Sequence, residues 1–230
     1  MAKEKKETTE NSVEALENAL TRTEQYIENN QKSLTIIVGA ILVIVAAYFG
    51  YKKLYLAPME DEARSQIFSA EFYFEKDSFR LALNGDGNDL GFLDIIDKYG
   101  PTKTANLAKY YAGICYRNLG QYNEAITYLK KFDAGDLLVT PSALGAIGDC
   151  YVELENLENG AKYYEKAASY SNDEFTAPIF LRKAGIVYEE LKEYDEALRV
   201  YEQIKEKFPK TTEGRDVEKD IARVKTLQGL

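Results

Sequence analysis

Gly113-Ile114-Cys115-Tyr116, followed by Tyr122-Asn123-Glu124-Ala125-Ile126, is the stretch that decides the fold. The same spacing returns twice. Gly148 precedes Tyr151 by three residues, and Gly185 precedes Tyr188 by three. Nine residues beyond each tyrosine stands a small residue: Ala125, Gly160 and Ala197. Tyr194-Asp195-Glu196-Ala197-Leu198 repeats the second half of the first unit. The offsets between units are 35 and 37 residues. That period predicts a helix–turn–helix unit that cannot bury its own apolar face and must stack on a neighbour.

The residue types explain the pattern. A small residue on each helix lets two antiparallel helices approach closely. The tyrosine of the Gly-x-x-Tyr step is expected to fill the gap beside that contact, with its hydroxyl at the wet edge. In Asn118-Leu119-Gly120-Gln121, Gly120 supplies a left-handed C-cap. The second helices read apolar at three- and four-residue spacing, as Ile126, Leu129 and Phe132, then Leu198, Tyr201 and Ile204.

These units resemble tetratricopeptide repeats, over residues 106–211. Pro209, after Glu206-Lys207-Phe208, resembles the proline that often closes such a repeat. The second unit departs from the pattern, with Leu157 and Gly160 where the others have Tyr and Ala. The resemblance implies an all-α superhelix with a concave groove lined by the first helices. The groove residues expected to point away from the Gly–Tyr face are Tyr110, Ile114, Arg117, Asn118, Asp149, Val152, Glu153, Arg182, Ile186 and Glu189. The carboxylate clamp of some tetratricopeptide domains is set aside. It needs Lys and Asn where this chain has Tyr110, Ile114, Ala146 and Ile179, leaving only Lys183.

A different pattern occupies residues 33–53. From Ser33 to Tyr51 no residue is charged in 19 positions. As a helix that spans roughly 28 Å, near the hydrocarbon thickness of a bilayer. Lys32 at one end, and Tyr48, Tyr51, Lys52 and Lys53 at the other, suit the two interfaces. The apolar run exceeds a usual signal core, and no small-x-small site follows it before Lys52. The expectation is an uncleaved single-span anchor. Basic residues flank both ends, so charge does not orient it.

The remaining segments are read from composition and periodicity. Residues 1–32 are expected to form a polar tail and an amphipathic helix from Ser12, with Val13, Leu16, Leu20, Thr23 and Ile27 on one face. That helix either meets a partner or lies at the membrane surface. Residues 54–105 read as leading helices, a degenerate repeat. One helix starts near Pro58 and carries Ile67, Ala70, Phe72 and Phe74 on its apolar face. An irregular insertion over 77–91 and a second helix over 89–99 follow. Residues 212–230, with Val217, Ile221, Val224 and Leu227, form a capping helix that covers the end of the stack.

Composition excludes several functions. The chain carries net charge −9, and residues 1–53 balance to zero, so the acidity belongs to the repeat region. Nucleic acid requires a basic face instead. With no histidine, His-based acid–base catalysis, His triads and His metal ligands are removed together. Asp86-Gly87-Asn88-Asp89-Leu90-Gly91 departs from a calcium loop at Leu90. Cys115 and Cys150 hold equivalent positions in adjacent units, about one helix-packing distance apart, and so read as buried free thiols. The expectation is a non-enzyme with no cofactor and no bound metal.

The order of short amphipathic lead-in, anchor and repeats resembles the YfgM-like ancillary subunit of the bacterial SecYEG translocon. Tyr26-Ile27-Glu28-Asn29-Asn30-Gln31-Lys32 resembles that family's lead-in. The resemblance implies an inner-membrane protein whose repeat domain lies in the periplasm. Its implied role is a chaperone-like adaptor for translocon subunits, a membrane-anchored periplasmic chaperone and unfolded clients. Homo-oligomers are compatible with it. Two other classes stay open: a cytosol-facing adaptor or assembly factor, and a non-catalytic subunit of an enzyme complex.

Overall fold

The computed structural model describes residues 29–133, 135 and 139–229. The expected amphipathic helix within 1–28 lies outside them. Every element among the described residues is helical. The chain divides between Ala57 and Pro58 into two compact units.

The first unit holds α1, Gln31–Gly50, followed by a π-helical stretch, Tyr51–Leu56. No residue of α1 is buried against protein, including Ile36, Ile41, Leu42 and Ile44. It is long and apolar enough to cross a membrane. The wide turn ends with the Ala57 amide donating to the Lys52 carbonyl. Pro58, which has no N–H, follows at once, so the change of hydrogen-bond register falls where the ladder would lose a donor anyway.

The second unit begins one residue into α2 (Ala57–Glu75) and continues with α3 (Phe79–Asn84) and α4 (Phe92–Lys98). Helix pairs α5 (Lys103–Asn118) and α6 (Tyr122–Lys131), α7 (Val139–Glu153) and α8 (Leu157–Ser171), and α9 (Ala177–Glu190) and α10 (Tyr194–Lys207) follow. The last element is α11 (Thr212–Gln228). The core runs as three successive clusters. One joins α2 to α5, the next joins α5 to α7, and the third runs from α8 to α11. Each hairpin therefore completes its core with the next, which is the α-solenoid expected from the period.

The turn geometry is common to all pairs. After Tyr116 the chain makes two C-terminal hydrogen bonds, from the Gln121 amide to the Tyr116 carbonyl and from the Gly120 amide to the Arg117 carbonyl. This is a Schellman motif with Gly120 in the left-handed region. Glu155 and Lys192 take the same conformation after Tyr151 and Tyr188.

The motif also identifies the leading unit. Asp77 is left-handed, and the Ser78 amide donates to the Tyr73 carbonyl. Ala70, Tyr73 and Ala82 then occupy the glycine, tyrosine and small-residue positions, and both alanines are fully buried. By these steps α2 and α3 follow the same sequence pattern as the later hairpins. The segment expected to be irregular over 77–91 contains α3, and the helix expected over 89–99 is the shorter α4. Two faces also differ from expectation. Phe72 is 49% exposed, and Ala63 joins Ile67 and Ala70 in the core instead. On α11, Val217, Ile221 and Val224 are buried while Leu227 projects outward.

Side-chain caps hold the stack in register. Glu60 of α2 accepts from the Lys103 amide at 2.7 Å and from the Thr104 hydroxyl at 2.9 Å, placing a carboxylate on the N-terminus of α5. The Thr102 hydroxyl accepts from the Ala105 amide of the same turn.

The expected glycine contacts are present, but a different residue fills them. A Cβ on Gly113 would lie 2.5 Å from Leu129 Cγ. On Gly148 it would meet the Tyr164 ring at 2.7 Å, and on Gly185 the Tyr201 ring at 2.3 Å. The occupant is the side chain sixteen positions on, from the second helix. The Gly-x-x-Tyr tyrosines sit beside it: Tyr116 stacks on Tyr128 and Tyr151 packs on Tyr163, each at 5.3 Å between ring centroids. Gly113→Leu should therefore force α5 from α6, at a cost of about 1–3 kcal/mol. A lowered thermal midpoint by circular dichroism is expected, and an unchanged midpoint would refute the contact.

Candidate functional site

The first helices α5, α7 and α9 carry the residues expected to line a groove. Arg117, Asn118, Asp149, Val152 and Glu153 line one concavity of about 390 Å³, together with Tyr122, Tyr164 and Lys183. Asp149 lies at its centre. Its Oδ2 accepts from Arg117 Nη1 at 3.0 Å, and its Oδ1 accepts from Tyr164 Oη and Lys183 Nζ, both at 2.7 Å. One carboxylate thus ties α5, α7, α8 and α9 together. At the rim, the Tyr122 hydroxyl donates to Glu153 at 3.2 Å.

A second cluster joins α9 and α10 to α11. Arg182 Nε donates to Asp220 Oδ2 at 2.9 Å, and Asp220 is buried. Arg223 grips Glu189 through both oxygens, at 2.9 and 2.7 Å, and also pairs with Asp220. The Tyr201 hydroxyl donates to Glu189 at 2.7 Å. Burial opposes ionisation of Glu189, but hydrogen bonds from Arg223 and Tyr201 hold its carboxyl below the usual 4.5.

The two clusters share one construction. A tyrosine of the second helix fills the glycine notch with its ring, and its hydroxyl donates to a first-helix carboxylate. That carboxylate then binds a cation from a neighbouring element. Burial first, and then the facing carboxylate, raise the Tyr164 and Tyr201 phenols well above the usual range, so both act as donors.

This placement corrects part of the expected groove. Ile114 is buried, in the core shared with Ala125 and Leu129. Tyr110 is half-buried, packed on Phe132 at 5.4 Å between centroids. Arg117 and Arg182 were expected to line the groove and face away from the Gly–Tyr contact. Each instead pairs with a carboxylate two helices on, Arg117 with Asp149 of α7 and Arg182 with Asp220 of α11. Glu189 belongs to the α11 cluster. Ile186 remains open, at 52% exposure, with Ile179 one face-repeat earlier on α9 also exposed.

Tyr122, Tyr164 and Lys183 line the concavity without having been assigned to it. The Gly148+16 and Gly185+16 spacing of Tyr164 and Tyr201 is present in the sequence and is the signal that finds two tyrosines of these clusters.

Outside the clusters, chemistry is sparse. No group of three His, Cys, Asp or Glu side chains among the described residues is placed to hold a metal ion. Asp86 accepts from the Asn88 and Asp89 amides and from the Tyr73 hydroxyl, which lowers its carboxyl to about 2. Those bonds make 84–89 a polar turn. Cys115 and Cys150 are free and buried, and burial pushes their thiols up to about 12 and about 11.

Sequence models of the tetratricopeptide repeat match residues 107–133 and 181–211, and a second such model matches 141–174. No curated protein matches the chain. Among solved structures, a crystal structure of MamA superposes with TM-score 0.56 at 18% identity, covering 73% of this chain and 83% of that one. A Podosopora anserina kinesin light chain with nearly identical TPR-like repeats superposes with TM-score 0.55 at 14% identity. It covers 73% of this chain and 87% of that one. At these identities the likeness is one of fold: residues 107–211 contain tetratricopeptide repeats, and the fold is a tetratricopeptide solenoid.

The Asp149 cluster makes a stability prediction. Asp149→Asn removes the charge that compensates Arg117 and Lys183. The cluster is partly exposed, so solvent screening trims the loss, to about 2 kcal/mol. For a domain of this size that lowers the thermal midpoint by roughly 4–8 °C. A midpoint equal to that of the parent would show that the cluster is not stabilising.

Proposed function

We propose that this protein is a non-enzymatic, membrane-anchored interaction scaffold. The repeats supply a protein-binding surface, and residues 33–53 fix it to a membrane. The observation that carries the reading is α1: a long apolar helix with no residue covered by protein, in the same chain as a repeat solenoid. A bare apolar surface of that extent needs lipid or a partner to cover it. The partner-binding region of the solenoid is the concavity around Asp149 and the exposed Ile179–Ile186 stripe.

The finer reading places the anchor in a bacterial inner membrane and the repeats in the periplasm. There the protein acts as an ancillary, chaperone-like adaptor at the Sec translocon. What supports it is the order of lead-in, apolar stretch and repeats, which resembles the YfgM-like subunit. The charges flanking the span leave orientation open. Protease added to spheroplasts with an intact inner membrane tests this. Digestion of residues 54–230 is expected, and their survival beside a digested periplasmic control would place the domain in the cytosol.

Partner assignment is tested by co-purification from mild-detergent membranes. Full-length protein should recover translocon components or a periplasmic chaperone. Ile186→Asp should weaken recovery of the periplasmic partner several-fold at an unchanged melting temperature, because Ile186 is exposed. Recovery of no translocon component at normal expression would refute the Sec assignment and leave the scaffold. Undiminished recovery by Ile186→Asp would remove the stripe from the contact.

A further inference from the structure

The two faces of the repeats handle charge differently. On the first helices, Arg117, Lys183 and Arg182 are each matched by a carboxylate, and Arg223 of α11 pairs with the first-helix Glu189. On the second helices of the first two repeats, four lysines lie among tyrosines instead. Lys130 Nζ of α6 sits 5.3 Å from the Tyr151 ring centroid and 5.5 Å from that of Tyr163, and donates to Tyr151 Oη at 2.9 Å. Lys166 of α8 lies 4.8 Å from the Tyr163 centroid, and Lys131 lies 5.3 Å from that of Tyr128. Lys162 stands one helical turn before Lys166. None of the four makes an ion pair among the described residues.

Beside these lysines is a depression of about 810 Å³ between α7 and α8. Leu144, Tyr163 and Tyr170 give it apolar walls, and Lys162 and Lys166 stand among its lining residues. Glu165 also reaches it, but that carboxylate is held by Arg199 at 2.8 Å and by the Tyr188 hydroxyl. The local balance is therefore basic, within a chain of net charge −9.

We propose that this second-helix face of α6 and α8 is a separate docking surface for an acidic segment of a partner protein. The segment would seat one aromatic or aliphatic side chain in the depression, with carboxylates over Lys130, Lys162 and Lys166. Two features favour a short acidic peptide over lipid or nucleic acid. Lys162 and Lys166 flank one bounded, partly apolar depression, whereas an extended polyanion would also meet the acidic remainder of the domain. The aromatic rings hold the ammonium groups in place, which lowers the ordering needed on binding.

The test uses the full-length protein in zwitterionic nanodiscs, panned against a random dodecapeptide display library. Selected peptides are then synthesised, and their affinities are measured by fluorescence anisotropy. The expected peptides are rich in Asp and Glu around one aromatic or aliphatic residue. They should bind Lys130→Glu/Lys166→Glu at least tenfold more weakly and Ile186→Asp nearly as well as the parent. Binding should also fall on raising salt from 0.05 to 0.5 M, as screening requires. Lys130→Gln/Lys166→Gln serves if the charge-reversed form fails to fold, with a smaller loss expected.

Selected peptides lacking acidic enrichment would overturn the proposal, as would acidic peptides that bind both double variants as well as the parent. Added vesicles containing phosphatidylglycerol that capture the parent but not the double variant, with no acidic peptide selected, would also overturn it by assigning the face to lipid. The Ile186→Asp arm keeps the outcome separate from the first-helix reading, because either surface can fail alone.

Discussion

A missing side chain sets the spacing of this solenoid. Gly113, Gly148 and Gly185 leave notches on the first helices, and Leu129, Tyr164 and Tyr201 fill them from the second. Close packing there leaves no room for a Cβ, so each hairpin has one tight separation. In the second and third repeats the occupant is a tyrosine, and its hydroxyl reaches a carboxylate on the first helix. Those carboxylates bind cations from neighbouring elements. One side chain thus links packing within a repeat to pairing between repeats. The first repeat, with Leu129 in the notch, has no such hydroxyl and is tied in through Arg117.

That arrangement has a consequence for recognition. The first helices, where a repeat protein is expected to bind, have already matched most of their cations internally. What they leave open is apolar or half-open: Ile179, Ile186, Val152 and the concavity around Asp149. A partner seated there gains affinity from shape and apolar contact more than from charge steering. Cations without a carboxylate lie on the second helices, over Tyr151 of α7 and Tyr163 of α8.

The repeat was legible because its signals are local. A small residue, a tyrosine three positions on and a left-handed turn four beyond that are fixed by helix periodicity and C-cap geometry. The same steps exist in the leading unit as Ala70, Tyr73, Asp77 and Ala82, with alanine standing for glycine. They were obscured because α3 is less than two turns long and runs into Asn84-Gly85-Asp86-Gly87. The site was less legible. Which face of a helix is apolar follows from its own sequence, but which charge meets Arg182 depends on α11 stacking beside it. Ile114 shows the same limit, since the core around Ala125 and Leu129 covers a residue whose position alone gave it to the groove.

The central claim, that the tyrosine ring and the glycine notch form one contact, is tested most directly by a double-mutant cycle on Gly185→Ala and Tyr201→Ala, read by denaturant unfolding. The added methyl group should destabilise the parent by about 1–3 kcal/mol. In the Tyr201→Ala background it should cost much less, giving a coupling of about 1 kcal/mol or more. Additivity of the two substitutions to within about 0.5 kcal/mol would contradict the account.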